Sequence, residues 1–305
     1  MTRARQRGVA IVLAMGVMAL AALAAGAMLI SQSTWSREVE LNGDHVQAQT
    51  LVRAGVDWAR AVLSDDRRMG NVDYLGEPWA LKLPPMPVDN GELAGHLTDS
   101  QGRFNLNNLA AGGKIDVVQL EHFRRLLAIL ELPPELADTL ADWIDADGVP
   151  QPNDGAEDSY YTSLQPPYLT ANRPLTDVAE LALVRGFDEG VRAQLAPFVS
   201  ALPRFTPVNV NTAPPEVLAA IVDGLDLDAA RALVAQRERV YFRTVSDFTS
   251  ALPSGATSSS RDVSVASDFF DATVRVSMGG AQARGLALLD RAGPGWPAIV
   301  WSKVL

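Results

Sequence analysis

An uncharged apolar run near the N-terminus constrains this chain more than any other feature. Gly8 to Ser36 holds no charged side chain, and Val9 to Ile30 is almost wholly Ala, Val, Leu, Ile, Met and Gly. At about 1.5 Å rise per residue, a helix from Val9 to Ile30 covers roughly 33 Å, enough to cross the hydrocarbon of a bilayer. A secretory signal has a shorter apolar part followed by a small-x-small cleavage site. Ala22 to Ala27 imitates such a site, yet the uncharged helical pattern runs on through it to Trp35. The segment therefore reads as a retained helix. Arg3, Arg5 and Arg7 precede it, whereas Glu38, Glu40 and Asp44 follow. That asymmetry predicts a cytoplasmic N-terminus and an exported C-terminal body.

Beyond the span, apolar residues continue at helical spacing through Val39, Val46, Leu51, Val52, Val56, Ala59 and Leu63, with Gly43 and Gly55 as weak interruptions. One long helix to Asp65 is expected, amphipathic in its second half and in need of a sheet to pack on. Asn90-Gly91 marks a hairpin turn between Met86-Pro-Val88 and Leu93 to Leu97, and Arg103 to Leu106 reads as a further strand. Helical text then takes over at Val117–Leu130, Glu135–Ile144, Val178–Val184 and Val191–Phe198. Two later helices are expected, one opened by Pro214-Pro215 and one over Asp228–Glu238. Strand-like text returns at Phe269–Ser277, Arg284–Asp290 and Ile299–Val304. Neither strand set is a credible sheet alone. The expected fold is α+β: a long hydrophobic helix on a small antiparallel sheet, with a large all-helical insertion. The division is 1–8 leader, 9–36 membrane or filament helix, 37–110 first part of the body, 111–250 insertion and 251–305 closing strands.

A short echo links Asn105-Leu-Asn-Asn-Leu109 with Asn209-Val-Asn-Thr-Ala213. We read it as two similarly capped helix hairpins rather than a duplication, with Asn107 or Asn108 and Thr212 as the caps.

Charge and composition exclude several functions. The chain carries 26 basic and 36 acidic residues, a net charge of −10 that loss of Arg3, Arg5 and Arg7 would take to −13. Nucleic acid is a poor partner for such a surface. The segment Phe205 to Phe248 has the form of a helix-hairpin-helix, but its turn, Gly224-Leu225-Asp226, lies among Asp223, Asp226 and Asp228, which would face a phosphate. With no cysteine, disulfides and thiolate metal sites are absent, and His45, His96 and His122 form no ligand spacing. No nucleophile elbow, phosphate loop or zinc motif appears, so no enzymatic activity is expected.

The densest carboxylate cluster lies between Asp145 and Asp158. Asp145, Asp147, Asp154, Glu157 and Asp158 repel one another unless something positive is bound, and Arg173 is the only basic side chain nearby in sequence. Hard oxygen donors on Gly- and Asn-rich turns suit Ca²⁺ better than Mg²⁺, although a solvated acidic loop explains the composition equally well. Glu157 falls one place off the end of a twelve-residue EF-hand loop.

Arg-Gln-Arg-Gly8 followed by Val9-Ala-Ile-Val-Leu13 resembles the leader and mature start of type IV pilin-like proteins. Most of them carry Glu at the fifth mature position, here Leu13. Gly102-Arg-Phe-Asn-Leu-Asn-Asn-Leu109, Asp142-Trp-Ile-Asp-Ala-Asp147, Gly155-Ala-Glu-Asp-Ser-Tyr160 and Val208-Asn-Val-Asn-Thr-Ala213 occur in order behind it. Together these motifs resemble the minor pseudopilin K family of type II secretion over most of the chain. The resemblance implies cleavage after Gly8 by prepilin peptidase, methylation of Val9 and single-pass anchoring in the inner membrane, with the body in the periplasm. It also implies a place at the pseudopilus tip, where Leu13 specifies the position. The partners implied are the minor pseudopilins I and J, with H and the major pseudopilin, and contact with the secretin and the secreted substrate. It further implies calcium in the acidic loop, with Asp145, Asp147, Asp154, Glu157, Asp158 and more weakly Gln151 as ligands. A minor pilin of a type IV pilus and a signal-anchored envelope binding protein share the leader and helix and remain open.

Overall fold

The structure, a computed structural model, describes residues 3–293 and 295–305, with side chains from Val9 onward except residue 83. Residues 1 and 2 of the expected leader lie outside the described residues, and so do the side chains up to Gly8. Helix α1 (Arg3–Met69) runs for 67 residues, about 100 Å at the helical rise. It is the one helix among the described residues long and apolar enough to cross a membrane. From Val9 to Ser36 its side chains are almost all exposed, Asp44 accepts from Gly280 N at 3.2 Å, and Ala48, Val52, Val56, Ala59 and Leu63 are buried on the sheet. Their spacing of three and four sets one apolar stripe. Gly55 does not interrupt the helix; it lets the helix lie close against the sheet. A Cβ there would sit 2.7 Å from Val274 Cγ1, and one on Gly285 would sit 2.3 Å from Val52 Cγ1.

A hairpin follows, β1 (Leu83–Val88) and β2 (Gly91–Asp99), but Val88 lies opposite Gly91. Its two turn residues are therefore Asp89 (φ +40°) and Asn90, one place before the expected Asn90-Gly91. Gly91 already belongs to β2, where a Cβ would lie 2.0 Å from the Ser277 carbonyl oxygen. Pro84, Pro85 and Pro87 remove donors from β1, which suits its place at the sheet edge. The chain then leaves the sheet. Strand β3 (Phe104–Asn105) is only two residues and does not join the hairpin, contrary to the expected Arg103–Leu106 strand of the sheet. Helices α2 (Val117–Ile129), α3 (Leu136–Ile144), α4 (Asp158–Tyr161) and α5 (Glu189–Leu195) lead to β4 (Val199–Ser200), which pairs in parallel with β3. The expected helix at Val178–Val184 is a 3-10 turn over Val178–Leu183.

The second half repeats the scheme. Strand β5 (Val208–Asn209), helices α6 (Pro215–Ile221), α7 (Leu227–Arg237) and α8 (Val245–Ala251), and strand β6 (Val263–Ser264) follow, and β5 pairs in parallel with β6. The chain then returns as β7 (Phe269–Met278), β8 (Ala281–Asp290) and β9 (Ala298–Val304). The antiparallel sheet has the order β1-β2-β7-β8-β9. Strands β2 and β7 are paired from Gly91–Met278 to Asp99–Phe270, so the helical part is inserted between adjacent strands. Its core runs from Phe104 to Val263, past both ends of the 111–250 range expected from sequence, and is separate from the core beneath α1.

The Asn echo proves to be a structural repeat, not only a pair of caps. Asn105 Oδ1 accepts from Asn107 N at 3.1 Å, and Asn209 Oδ1 accepts from Asn211 N at 3.0 Å. Asn107 then binds both backbone groups of Leu175 (2.8 and 2.9 Å), as Asn211 binds both of Phe242 (2.9 and 2.9 Å). The caps expected at Asn107, Asn108 and Thr212 are therefore not formed. Asn107 and Asn108 spend their amides on distant backbone, and the Thr212 hydroxyl donates to Asp99 at 2.6 Å. Helix α6 starts behind Pro214 with no side-chain cap.

The two parts are joined by buried ions. Arg291, at the end of β8, donates to Asp66 of α1 at 2.7 Å, to Asp73 and to the Ser267 carbonyl. Asp99 accepts from Gln101 N, Asn209 Nδ2, Thr212 Oγ1 and Ser267 Oγ. A fully buried carboxylate is tolerated because its oxygens are saturated with donors.

Candidate metal centre

Helix α3 is buried along its whole length, with Leu136, Ala137, Leu140, Ala141 and Ile144 in the core. Its last turn therefore delivers Asp142 and Asp145 to a fixed place beneath the following loop. Asp142 is fully buried, and both its oxygens accept from Gln151 N at 3.1 Å. This contact folds the loop back over the helix end. Gly155 permits it, since a Cβ there would lie 2.2 Å from Asp142 Oδ2. Trp143, Tyr161 and Tyr168 pack edge-on or tilted with centroids 5.0–6.3 Å apart and support the loop from below.

Three of the residues singled out in the sequence come together. Asp145, Asp147 and Glu157 each offer a carboxylate oxygen, and these atoms lie within 4.8 Å of one another. Asp145 and Glu157 are buried and Asp147 is exposed. Asp145 Oδ1 and both oxygens of Glu157 have no hydrogen-bond donor among the described residues. The buried hydroxyl of Thr170 is unpartnered as well. Burial, then the neighbouring carboxylates Asp147 and Asp142, push Asp145 up to about 6. Burial and Asp142 push Glu157 up to about 7. Asp142 is raised to about 6, mainly by burial. Orphaned buried oxygens with depressed acidity fit a hard divalent cation, which takes six to eight oxygen ligands when it is Ca²⁺.

The other expected ligands are placed differently. Gln151 meets the cluster through its backbone, on Asp142. Asp154 pairs with Arg185 at 2.9 Å, and Asp158 Oδ1 accepts from Thr170 N at 2.9 Å. Arg173, the basic residue nearest in sequence, bonds Glu180 instead. Asp142 was not among the expected ligands, although its i, i+3 spacing to Asp145 places both on one side of α3. A second acidic group, Asp66, Asp73 and Glu77, already has donors: Arg291 binds the first two, and Glu77 accepts from Trp79 Nε1 at 2.7 Å and from Tyr74 N at 3.0 Å.

In the hairpin of the second half, Gly224 has φ +74° and Asp226 caps α7 by accepting from Ala229 N at 2.8 Å. Asp223 pairs with Arg125 at 2.5 Å. These carboxylates hold the fold at the turn where a phosphate-binding hairpin would present free amides.

Comparison with known proteins follows the same division. Residues 102–204 and 208–267 each match the family described as type II secretion system (T2SS), protein K. Type II secretion system protein K of Pseudomonas aeruginosa is 39% identical over 290 residues, covering 91% of this chain and 86% of that protein. The Klebsiella pneumoniae protein K is 34% identical over 306 residues, covering 95% and 94%. The crystal structure of the GspK–GspI–GspJ complex from the enterotoxigenic Escherichia coli type 2 secretion system matches with a TM-score of 0.76 and 27% identity, over 90% of this chain and 99% of that one. On sequence and fold together, the chain belongs to the type II secretion system protein K family, a family of minor pseudopilins.

Proposed function

We propose that this minor pseudopilin sits at the tip of the type II secretion pseudopilus, where it starts and caps assembly with the minor pseudopilins I and J. The solved relative was crystallised in complex with GspI and GspJ, which supports that partnership here. The observation that carries the tip position is Leu13, an apolar residue on the free-standing part of α1 where most pilins have Glu. In a filament that Glu pairs with the amine of the subunit ahead, offsetting the cost of burying a charge among apolar helices. A subunit with Leu13 gains nothing from a neighbour ahead, while its own Val9 amine still pairs with a Glu of the subunit behind. The inserted helical part adds bulk beyond the pilin-like sheet, which suits an end position.

Under this reading prepilin peptidase cuts after Gly8 and Val9 is methylated. The helix anchors in the inner membrane and the body lies in the periplasm, in reach of pseudopilin H, the major pseudopilin, the secretin and the secreted substrate. Calcium is held by Asp145, Asp147 and Glu157, and its role is to fix the loop between α3 and α4. The test of processing is the intact mass of membrane-extracted protein with and without co-expressed peptidase. Loss of Met1 to Gly8 with one added methyl is expected; an intact leader in both cases would overturn the assignment.

A further inference from the structure

The structural repeat makes two segments equivalent. In the first half, residues 145–174 connect α3 to the Leu175 backbone held by Asn107; in the second, residues 238–241 connect α7 to the Phe242 backbone held by Asn211. The first connection gathers Asp145, Asp147 and Glu157 with no ion-pair partner among the described residues. The second gathers cations with too few carboxylates.

Arg237, the last residue of α7, is 8% exposed. Its Nη1 donates to the Val210 carbonyl at 2.5 Å, and no carboxylate lies within ion-pair distance of it among the described residues. Its remaining nitrogens have no hydrogen-bond acceptor among the described residues, and the side chain lines a cavity of about 340 Å³. Arg239 and Asn211 line the same cavity, and the rings of Tyr74 and Tyr241 stack beside it with centroids 3.9 Å apart. Among the described residues Glu238 is the single carboxylate on its wall. Burial lowers the Arg237 guanidinium to about 10, so it stays charged at neutral pH. A buried charge that lacks a counterion calls for one. The free edge of a guanidinium is a planar fork that matches the two oxygens of a carboxylate or phosphate. The Asn211 side chain spends its carbonyl and one N–H on Phe242, leaving the arginines and the two phenols as the donors.

We propose that the cavity beside the Tyr74–Tyr241 stack binds an oxyanion, carboxylate or phosphate, through the Arg237 guanidinium with Arg239 as the second cation. It is the charge-inverted counterpart of the acidic loop in the first half. The anion is either a small free solute or an acidic group of a neighbouring subunit, and the chemistry of capture is the same.

The test is calorimetric titration of the full-length protein in detergent with sodium phosphate and, separately, sodium succinate, against sodium chloride of equal ionic strength. Saturable binding of either oxyanion, absent with chloride, is expected. Arg237→Gln should weaken it by about tenfold or more, and Arg239→Gln by about threefold. A preference for succinate points to a carboxylate source, and a preference for phosphate to a free phosphate. If Arg237→Gln does not fold, the wild-type titration and Arg239→Gln decide the matter. No saturable oxyanion binding to the wild type, or binding unchanged in Arg239→Gln and in any folded Arg237→Gln protein, would overturn the proposal.

Discussion

Asp145, closing α3, and Glu157, opening α4, bring their carboxylates within 4.8 Å of each other while both side chains are buried. Among the described residues neither has an ion-pair partner, and three of their four oxygens are buried with no donor. Two elements are thereby held together by groups that repel, unless a positive ion lies between them.

Calcium should therefore raise the melting temperature and EGTA lower it. A ligand at a hundred times its Kd stabilises by about 2.7 kcal/mol. Glu157→Gln should abolish most of that gain, yet the metal-free variant should melt above metal-free wild type, because one repelling charge is gone. A merely solvated loop would show neither effect. Thermal scans of both proteins with calcium and with EGTA check it.

The pH dependence has a definite sign. Asp142, Asp145 and Glu157 are raised to about 6, 6 and 7 from ordinary values of 3.8, 3.8 and 4.5. In the metal-free protein the folded state binds protons more tightly than the unfolded chain. Its penalty is full above about pH 7 and disappears towards pH 4, so these groups make metal-free protein more stable as pH falls. Protons and calcium compete for the same oxygens, so stabilisation by calcium should shrink over that window. Melting temperatures at pH 7.5 and pH 5, each with calcium or EGTA, measure both trends. Calcium stabilisation that grows at pH 5 would contradict the assignment.

Arg291 holds α1 to the closing strands through Asp66 and Asp73. Arg291→Met would leave two buried carboxylates without a cation and should cost about 3–5 kcal/mol in urea unfolding. Arg291→Lys should restore only part, since an ammonium cannot span both acids and the Ser267 carbonyl as the fork does. Adding Asp66→Asn to Arg291→Met should recover some of the loss. A cost below about 1 kcal/mol for Arg291→Met would show that the junction rests on packing alone.

Much of this fold was legible in the sequence because local periodicity and tertiary burial agree. The stripe from Ala48 to Leu63 belongs to that class, and so does the hairpin between β1 and β2, although its turn lies at Asp89-Asn90, one residue before the expected Asn90-Gly91. What local pattern could not carry was contact between remote residues. Asp154 looked like a ligand until Arg185 was placed beside it, and the role of Gly55 depends on Val274, more than two hundred residues on. Asn107 and Asn211 were visible within the echo, but their clamping partners, Leu175 and Phe242, lie at unequal distances along the chain and hid the repeat. Helix α8 was missed although Thr244 and Asp247 form a capping box at its start, a signal the sequence did offer.

Position within the filament separates a tip subunit from a shaft subunit, and the lack of any cysteine in the sequence makes it directly measurable. Ser260 is exposed on the helical part. A Ser260→Cys protein, labelled with maleimide-gold in isolated pseudopili, should show label at one end of each filament only. Addition of Leu13→Glu should spread label along the shaft without loss of folding. Label along the length of filaments carrying Leu13 would contradict the tip assignment.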